Sequence, residues 1–211
     1  MRMDTFNPLI VLPIVFISMS IHELMHAVTS YWLGDDTAYL QGRITLNPLR
    51  SIDPIYTLAI PFILALTGSK FIFGAAKPVQ VNFNRLKYDE FGGAIVGAVG
   101  PLSNLVIAVI AAFLFKHINF SGDLVYQILF TTVAVNVGFL VFNLIPWPPL
   151  DGSRVLYAFA PGPLREFMES IERMGMNSLI LFLVVFYLVL GVPLGNLIQN
   201  VTAHLLGLPV L

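Results

Sequence analysis

The chain has 211 residues, of which 57% are hydrophobic and only 11% are charged, and its formal net charge is -1. A soluble domain carries about 25% charged residues, so this composition indicates a membrane protein. The near-neutral charge without a basic stripe argues against a nucleic-acid partner. The absence of cysteine excludes disulfides and thiolate metal sites. We expect residues 1–211 to form a single membrane domain.

The first apolar segment is predicted to be a helix from about Pro8 to Leu33. Asn7 is suited to the N-cap, Pro8 to the first helical position, and Gly34 to the position just beyond the end. A helix of this length can cross a bilayer with some tilt.

Within this segment lies an H-E-x-x-H motif formed by His22, Glu23 and His26. Positions four apart on a helix share a face, so both imidazoles can bind one metal ion while Glu23 faces an attacking water molecule. Glu23 precedes Leu33 by about 15 Å of helix, which puts the motif inside the hydrocarbon. Ionisable groups at that depth are costly and usually functional. The motif therefore predicts a metal-dependent hydrolase.

The remaining elements follow from hydropathy and chain breakers. Short strands are predicted at Gly42–Leu46 and Pro78–Asn82. Further spans are predicted at about Phe91–Phe115, Leu124–Ile145 and Ser178–Leu190. Two segments are predicted not to span: Ile55–Thr67, which is short and broken by Pro61, and the amphipathic Leu164–Gly175, which suits the membrane interface. The expected fold is an all-α polytopic membrane protein with small β elements and a core of three transmembrane helices plus flanking helices.

Two histidines leave a catalytic zinc site one protein ligand short. The candidates for the third ligand are His117, His204 and Asp151. Asp151 follows a stretch with three prolines, which prevent a continuous helix and admit non-helical backbone of the kind that lines a cavity. Asp151 is therefore the best candidate, although an Asp-Gly turn at a helix end would give the same local pattern.

Two buried amides and three glycines have alternative interpretations. Asn104 and Asn143 lie in apolar spans, where they could join helices by hydrogen bonds or bind the substrate backbone or oxyanion. Gly93, Gly97 and Gly100 are better explained by close helix packing than by ligand binding.

These motifs together resemble the site-2 proteases, intramembrane zinc metalloproteases, in a compact form lacking PDZ and CBS domains. The matching stretches are His22–His26, Gly100–Asn104, Asn143–Gly152, Asn47–Leu49, Ile52–Pro54 and Ala76–Val79. The resemblance implies one zinc ion per chain held by His22, His26 and Asp151, with Glu23 as the general base. It also implies an endopeptidase whose substrates are membrane-spanning proteins.

The distribution of cationic residues predicts the orientation. His22 and Asp151 can meet only if the first span and the span before Asp151 run in the same direction, which requires that Ile55–Thr67 does not cross. Nine cationic residues then lie on one side: Arg43, Arg50, Lys70, Lys77, Arg85, Lys87, Arg154, Arg165 and Arg173. Only Arg2 and Lys116 face the other. If Ile55–Thr67 crossed, the division would be eight against three, so charge alone hardly decides between the two topologies and the metal geometry does. By the positive-inside rule, the active site is expected to open toward the cytoplasm. The protein is expected to be a multi-pass protein of a prokaryotic cell membrane.

Two other functions fit part of the pattern. A metal-binding membrane transporter or chaperone without proteolytic activity could also bury His and Asp residues along an ion path. A catalytically inactive binding module would keep the fold alone. Glu23 favours the hydrolase, because a transporter has no need for a carboxylate at that offset from the ligands. An extended substrate could pair with one of the predicted strands.

Overall fold

The computed structural model describes residues 7–45, 47, 79–118 and 122–209. Its helices are α1 Pro8–Trp32, α2 Thr37–Leu40, α3 Asp89–His117, α4 Asp123–Asn143, α5 Asp151–Phe159, α6 Gly162–Arg173, α7 Met176–Val185 and α8 Gly191–Leu206. A 3-10 turn at Phe83–Arg85 precedes α3, and a π-helical segment at Phe186–Leu190 joins α7 to α8. The predicted interfacial or re-entrant segment Ile55–Thr67 lies outside the described residues.

Four helical stretches within the described residues are long and apolar enough to cross a membrane: α1, α3, α4 and Ile180–Leu206. The first three match the predicted spans to within two residues at each end. Their outward faces carry large apolar side chains, among them Leu9, Ile17, Val106, Phe113 and Leu124. Apolar exposure on this scale suits a multi-pass membrane protein.

Helix α1 begins and ends where its flanking residues dictate. The Asn7 side chain accepts a hydrogen bond from the backbone N–H of Leu9 at 3.0 Å, and Pro8 supplies the fixed φ of a first helical residue. Beyond the other end, Gly34 has a φ of 105°, a conformation that favours glycine. These local signals explain why this boundary could be predicted.

Helix α3 is central and packs against α1, α4 and α5. Its small side chains at Ala108, Ala111 and Ala112 let α4 approach closely and bury Val133 and Val137 completely. The same cluster is closed by Leu206 from the end of α8.

One backbone contact fixes the relative direction of the spans. The Lys87 N–H donates to the Leu33 carbonyl at 2.7 Å, so α1 ends where α3 begins. Helix α3 therefore runs antiparallel to α1, and α4, which returns after α3, runs parallel to α1. This arrangement brings Asp151, which follows α4, toward the same end of the bundle as the second half of α1.

The last predicted span, Ser178–Leu190, is shorter than the helix observed. The helix continues through Gly191 and Pro193 to Leu206. Proline removes an N–H donor and clashes with the preceding turn, and the π-helical segment just before it changes the hydrogen-bond register. The helix stops only at Gly207, whose φ is 71°.

The predicted small β elements are not found in the described residues, which cover 42–45 and 79–82 of the two strands. In residues 42–45, three backbone N–H groups donate to backbone oxygens two to five residues earlier in the chain. In residues 79–82, two N–H groups donate to carboxylates. The Val79 N–H donates to the Glu23 carboxylate at 3.0 Å, and the Asn82 N–H donates to the buried carboxylate of Asp35 at 2.8 Å. Side chains of α1 and the turn after it thus replace a strand partner.

Candidate metal centre

Three side-chain atoms from distant parts of the chain converge on one point. Nε2 of His22 lies 3.0 Å from Nε2 of His26 and 3.1 Å from Oδ2 of Asp151, and the remaining distance, from His26 to Asp151, is 3.3 Å. Ligands about 2.0–2.1 Å from a tetrahedral zinc ion would be about 3.3 Å apart. The three atoms therefore form a triangle of the size that zinc requires.

The three candidate ligands come from two different helices. His22 and His26 are one helical turn apart on the face of α1 that packs against α3, and both are 6% exposed. Asp151 is the first residue of α5 and follows the non-helical, proline-containing residues 144–150. Its Oδ2 faces both imidazoles, and the side chain of Asp151 is mostly buried.

His26 is held in one tautomer by the main chain. Its Nδ1 lies 2.7 Å from the backbone oxygen of Val96 on α3. A carbonyl oxygen can only accept, so Nδ1 must be the donor. In the neutral ring, Nε2 then carries a lone pair that faces the other two ligand atoms.

His22 is held in the same tautomer by a chain of two buried amides. Asn136 donates from Nδ2 to the backbone oxygen of Thr132 at 2.8 Å, and this fixes the orientation of its amide. Its Oδ1 then accepts from Nδ2 of Asn104 at 2.9 Å. Asn104 therefore presents Oδ1 to Nδ1 of His22 at 2.7 Å, and that nitrogen must donate.

The donor set fits a zinc ion on its own chemistry. Two neutral imidazoles and one ionised carboxylate point lone pairs at a common point, and without a cation or an added proton these groups repel one another. His and Asp are ordinary ligands of catalytic zinc, which takes three protein ligands. In the described part of the chain this is the one group of three such side chains close enough to share an ion.

Glu23 lies beside the ligands and is half-buried. It follows His22 directly on α1, and its Oε2 accepts the Val79 N–H. This contact anchors a carboxylate next to the triangle without using it as a ligand. The arrangement suits a group that moves protons at the site.

Gly100 is the point at which α3 meets the imidazoles. A Cβ atom built there would lie 2.6 Å from Cε1 of His26 and 2.7 Å from Cε1 of His22, closer than real Cβ contacts. One turn earlier, a Cβ on Gly97 would lie 2.9 Å from the backbone oxygen of Asp151. The two glycines therefore provide close packing, as predicted, and they do so against the candidate ligands themselves.

We expect Gly100→Ala to weaken zinc binding about 10- to 100-fold, since overpacking costs about 1–3 kcal/mol and about 1.4 kcal/mol is a tenfold change. Competition with a chromophoric chelator would measure the affinity. Gly138→Ala is the matched control, because a Cβ at that glycine of α4 meets nothing within 4 Å. Equal zinc affinity in the two variants would contradict this account.

The structure separates the two asparagines predicted to bind substrate. Asn104 bonds to His22 and Asn136, whereas Asn143 donates to its own helix at Phe139, 3.0 Å away. Sequence reasoning missed Asn136, which is fully buried. Its signal was the same as that of Asn104, an amide within an apolar span. The Val79 N–H was also missed, because a backbone donor leaves no mark in the sequence.

The other two candidate ligands lie elsewhere. His117 is exposed at the end of α3, where its Nδ1 bonds to the Phe113 oxygen at 2.8 Å. His204 is exposed on α8. Neither belongs to the group that could share an ion.

The relatives found by comparison with known proteins are named putative zinc metalloproteases. The chain is 36% identical over 203 residues to "Putative zinc metalloprotease YwhC" of Bacillus subtilis, an alignment that covers 90% of this chain and 88% of the relative. It is 30% identical to "Putative zinc metalloprotease Rip2" of Mycolicibacterium smegmatis, over 71% of this chain and 59% of the relative. It is also 30% identical to "Putative zinc metalloprotease MJ0611" of Methanocaldococcus jannaschii, over 64% of this chain and 62% of the relative.

No family profile matches the chain, and no solved structure matches it. The likeness to YwhC nevertheless extends over most of both chains. The zinc in the name of YwhC agrees with the two imidazoles and one carboxylate that meet at His22, His26 and Asp151. The protein thus belongs to the family of YwhC, and the relatives named above all carry the name putative zinc metalloprotease.

Proposed function

We propose that this protein is an intramembrane zinc endopeptidase of the site-2 protease type, which hydrolyses peptide bonds of membrane-spanning proteins. The observation that carries the proposal is the triangle that Asp151 forms with His22 and His26, which lie within the apolar helix α1. His22 lies about 15 Å from one end of α1 and about 21 Å from the other. A hydrocarbon layer about 30 Å thick would therefore enclose the site.

The chemistry divides between the ion and one side chain. When bound by the three ligands, zinc would lower the pKa of a water molecule from 15.7 to about 7 and polarise the scissile carbonyl. Glu23 would accept the proton of the attacking water on its carboxylate and deliver it to the nitrogen of the leaving amine. The water oxygen adds to the carbonyl carbon, and the peptide C–N bond then breaks. One water proton passes through Glu23 to the nitrogen and yields a free amine, and the other stays with the new carboxyl group.

The substrate must be extended at the scissile bond, because the turns of a helix shield its own peptide groups. Residues 79–82 are non-helical and pass beside Glu23, held there by the Val79 N–H. A substrate segment lying alongside them would gain backbone hydrogen bonds that tolerate varied side chains. We therefore expect the enzyme to prefer spans that contain helix-destabilising residues near the cleaved bond.

The decisive experiment measures zinc and cleavage on one purified sample. The protein in detergent or liposomes is expected to contain one zinc per chain and to cleave a single-span peptide that carries a Gly-Pro interruption. A chelator should stop cleavage and added zinc should restore it. Zinc content without any cleavage of such peptides would instead favour the metal transporter or chaperone.

The orientation is testable with single cysteines, since the chain has no cysteine of its own. The end of α1 at Leu33, which meets Lys87 before α3, is the end nearer to the site, and Lys116 lies at the far end of α3. Cysteines at Arg50, Lys77 and Arg165 should react with an impermeant reagent from the cytoplasmic side, and one at Lys116 from the other side. Opposite labelling at Arg50 and Lys77 would contradict the proposal that Ile55–Thr67 does not cross.

A further inference from the structure

Asn136 contacts neither a ligand nor Glu23, yet it is fully buried in the apolar core of the bundle. Its Oδ1 accepts from Asn104, and its two Nδ2 hydrogens go to the Thr132 backbone oxygen at 2.8 Å and the Ser18 hydroxyl at 2.9 Å. A buried amide costs free energy unless it is hydrogen-bonded, and all three of these bonds are made. Thr132 presents a main-chain oxygen, so the orientation of the Asn136 amide is fixed by the backbone of α4.

We propose that Asn136 is a positioning residue of the metal centre: it orients the Asn104 amide and thereby keeps His22 in the tautomer whose Nε2 is free to bind zinc. The inference rests on the proposed zinc function. Asn104 alone could rotate by half a turn and offer its Nδ2 to His22. Nδ1 would then have to accept, and the ring proton would move to Nε2, where it blocks the metal. Asn136 prevents this rotation, because its Oδ1 can pair only with the NH₂ end of Asn104.

The hydrogen bonds of Asn136 predict how strongly its loss should weaken zinc binding. Groups that fix the tautomer of a metal-binding histidine typically contribute 10- to 100-fold to metal affinity. Asn136→Leu keeps the number and branching of the side-chain heavy atoms but removes both the acceptor and the donors. We expect this variant to bind zinc about 10- to 100-fold more weakly than the wild type.

In the Asn104→Asp background, a positioning role and a packing role of Asn136 predict different effects on zinc affinity. In Asn104→Asp, residue 104 carries two acceptor oxygens and no donor, so His22 Nδ1 must donate whichever way the carboxylate turns. Adding Asn136→Leu to Asn104→Asp should therefore leave zinc affinity unchanged or raise it, because it also removes an oxygen that faces the carboxylate. A merely structural role would give the same loss of affinity in both backgrounds.

The experiment measures zinc affinity by chelator competition for the four combinations at positions 104 and 136, with the melting temperature of each metal-free protein. Thr132→Val is the matched control: it removes an exposed hydroxyl from the same helix and leaves the backbone oxygen that Asn136 uses. Equal losses in both backgrounds, or no loss on Asn136→Leu alone, would overturn the positioning role while zinc binding by the wild type stands. A wild-type protein that binds no zinc would overturn both the role and the proposed function.

Discussion

Replacing Glu23 by Gln should abolish peptide cleavage and leave zinc bound. The amide keeps the shape of the side chain and can still accept the Val79 N–H, so the local structure should persist. It cannot take up the proton of the attacking water. General bases typically contribute 10²- to 10⁴-fold to a rate, and we expect a loss of about that size.

Metal analysis and the peptide assay on the same sample test this expectation. Glu166→Gln makes the same chemical change at an exposed position of α6 and should cleave at the wild-type rate. Wild-type turnover by Glu23→Gln would refute the proposed mechanism. Loss of zinc together with activity would mean that Glu23 supports the metal rather than the proton transfer.

Asp151→Asn should weaken zinc binding by more than about 100-fold, since removing a ligand should cost more than removing a group that only orients one. The neutral amide is a poorer ligand than the carboxylate, and the site loses the negative charge that offsets the ion. A ligand that binds only the folded state raises its stability. The rise in melting temperature on adding zinc should therefore be large for the wild type and nearly absent for Asp151→Asn.

Alanine variants of the two remaining histidines are the matched controls. His117 and His204 are both exposed and lie on helices other than α1 and α5, so their removal should change neither zinc content nor the melting temperature. If either of them empties the site while Asp151→Asn keeps its zinc, the ligand assignment fails.

The parts of this structure that could be predicted are those with local causes. Helix α1 depends on Asn7, Pro8 and Gly34, all adjacent to its ends, and the H-E-x-x-H spacing brings two side chains to one face of any helix. The last span was predicted too short, because the sequence pattern does not show the π-helical segment at Phe186–Leu190 that joins α7 to α8.

The parts that could not be predicted depend on which helices touch. Nothing near Asn136 in the sequence shows that it meets Asn104, since the pairing requires α3 and α4 to pack with those two amides opposite each other. The contact between Gly100 and the imidazoles likewise needs the packing of α1 on α3. The predicted strand at Pro78–Asn82 failed because N–H groups within it bond to carboxylates, which a pattern of alternating residues cannot reveal.

The two imidazoles of the metal centre differ in how easily a mutation can remove the hydrogen bond that orients each ring. His26 is oriented by a hydrogen bond to the main-chain oxygen of Val96. Every amino acid supplies this oxygen, so a substitution at position 96 leaves the bond in place. His22 is steadied by side chains, and one nucleotide change in the codon of Asn104 can remove its acceptor. A single substitution can therefore remove the hydrogen bond that orients His22, whereas the bond that orients His26 persists whichever side chain occupies position 96.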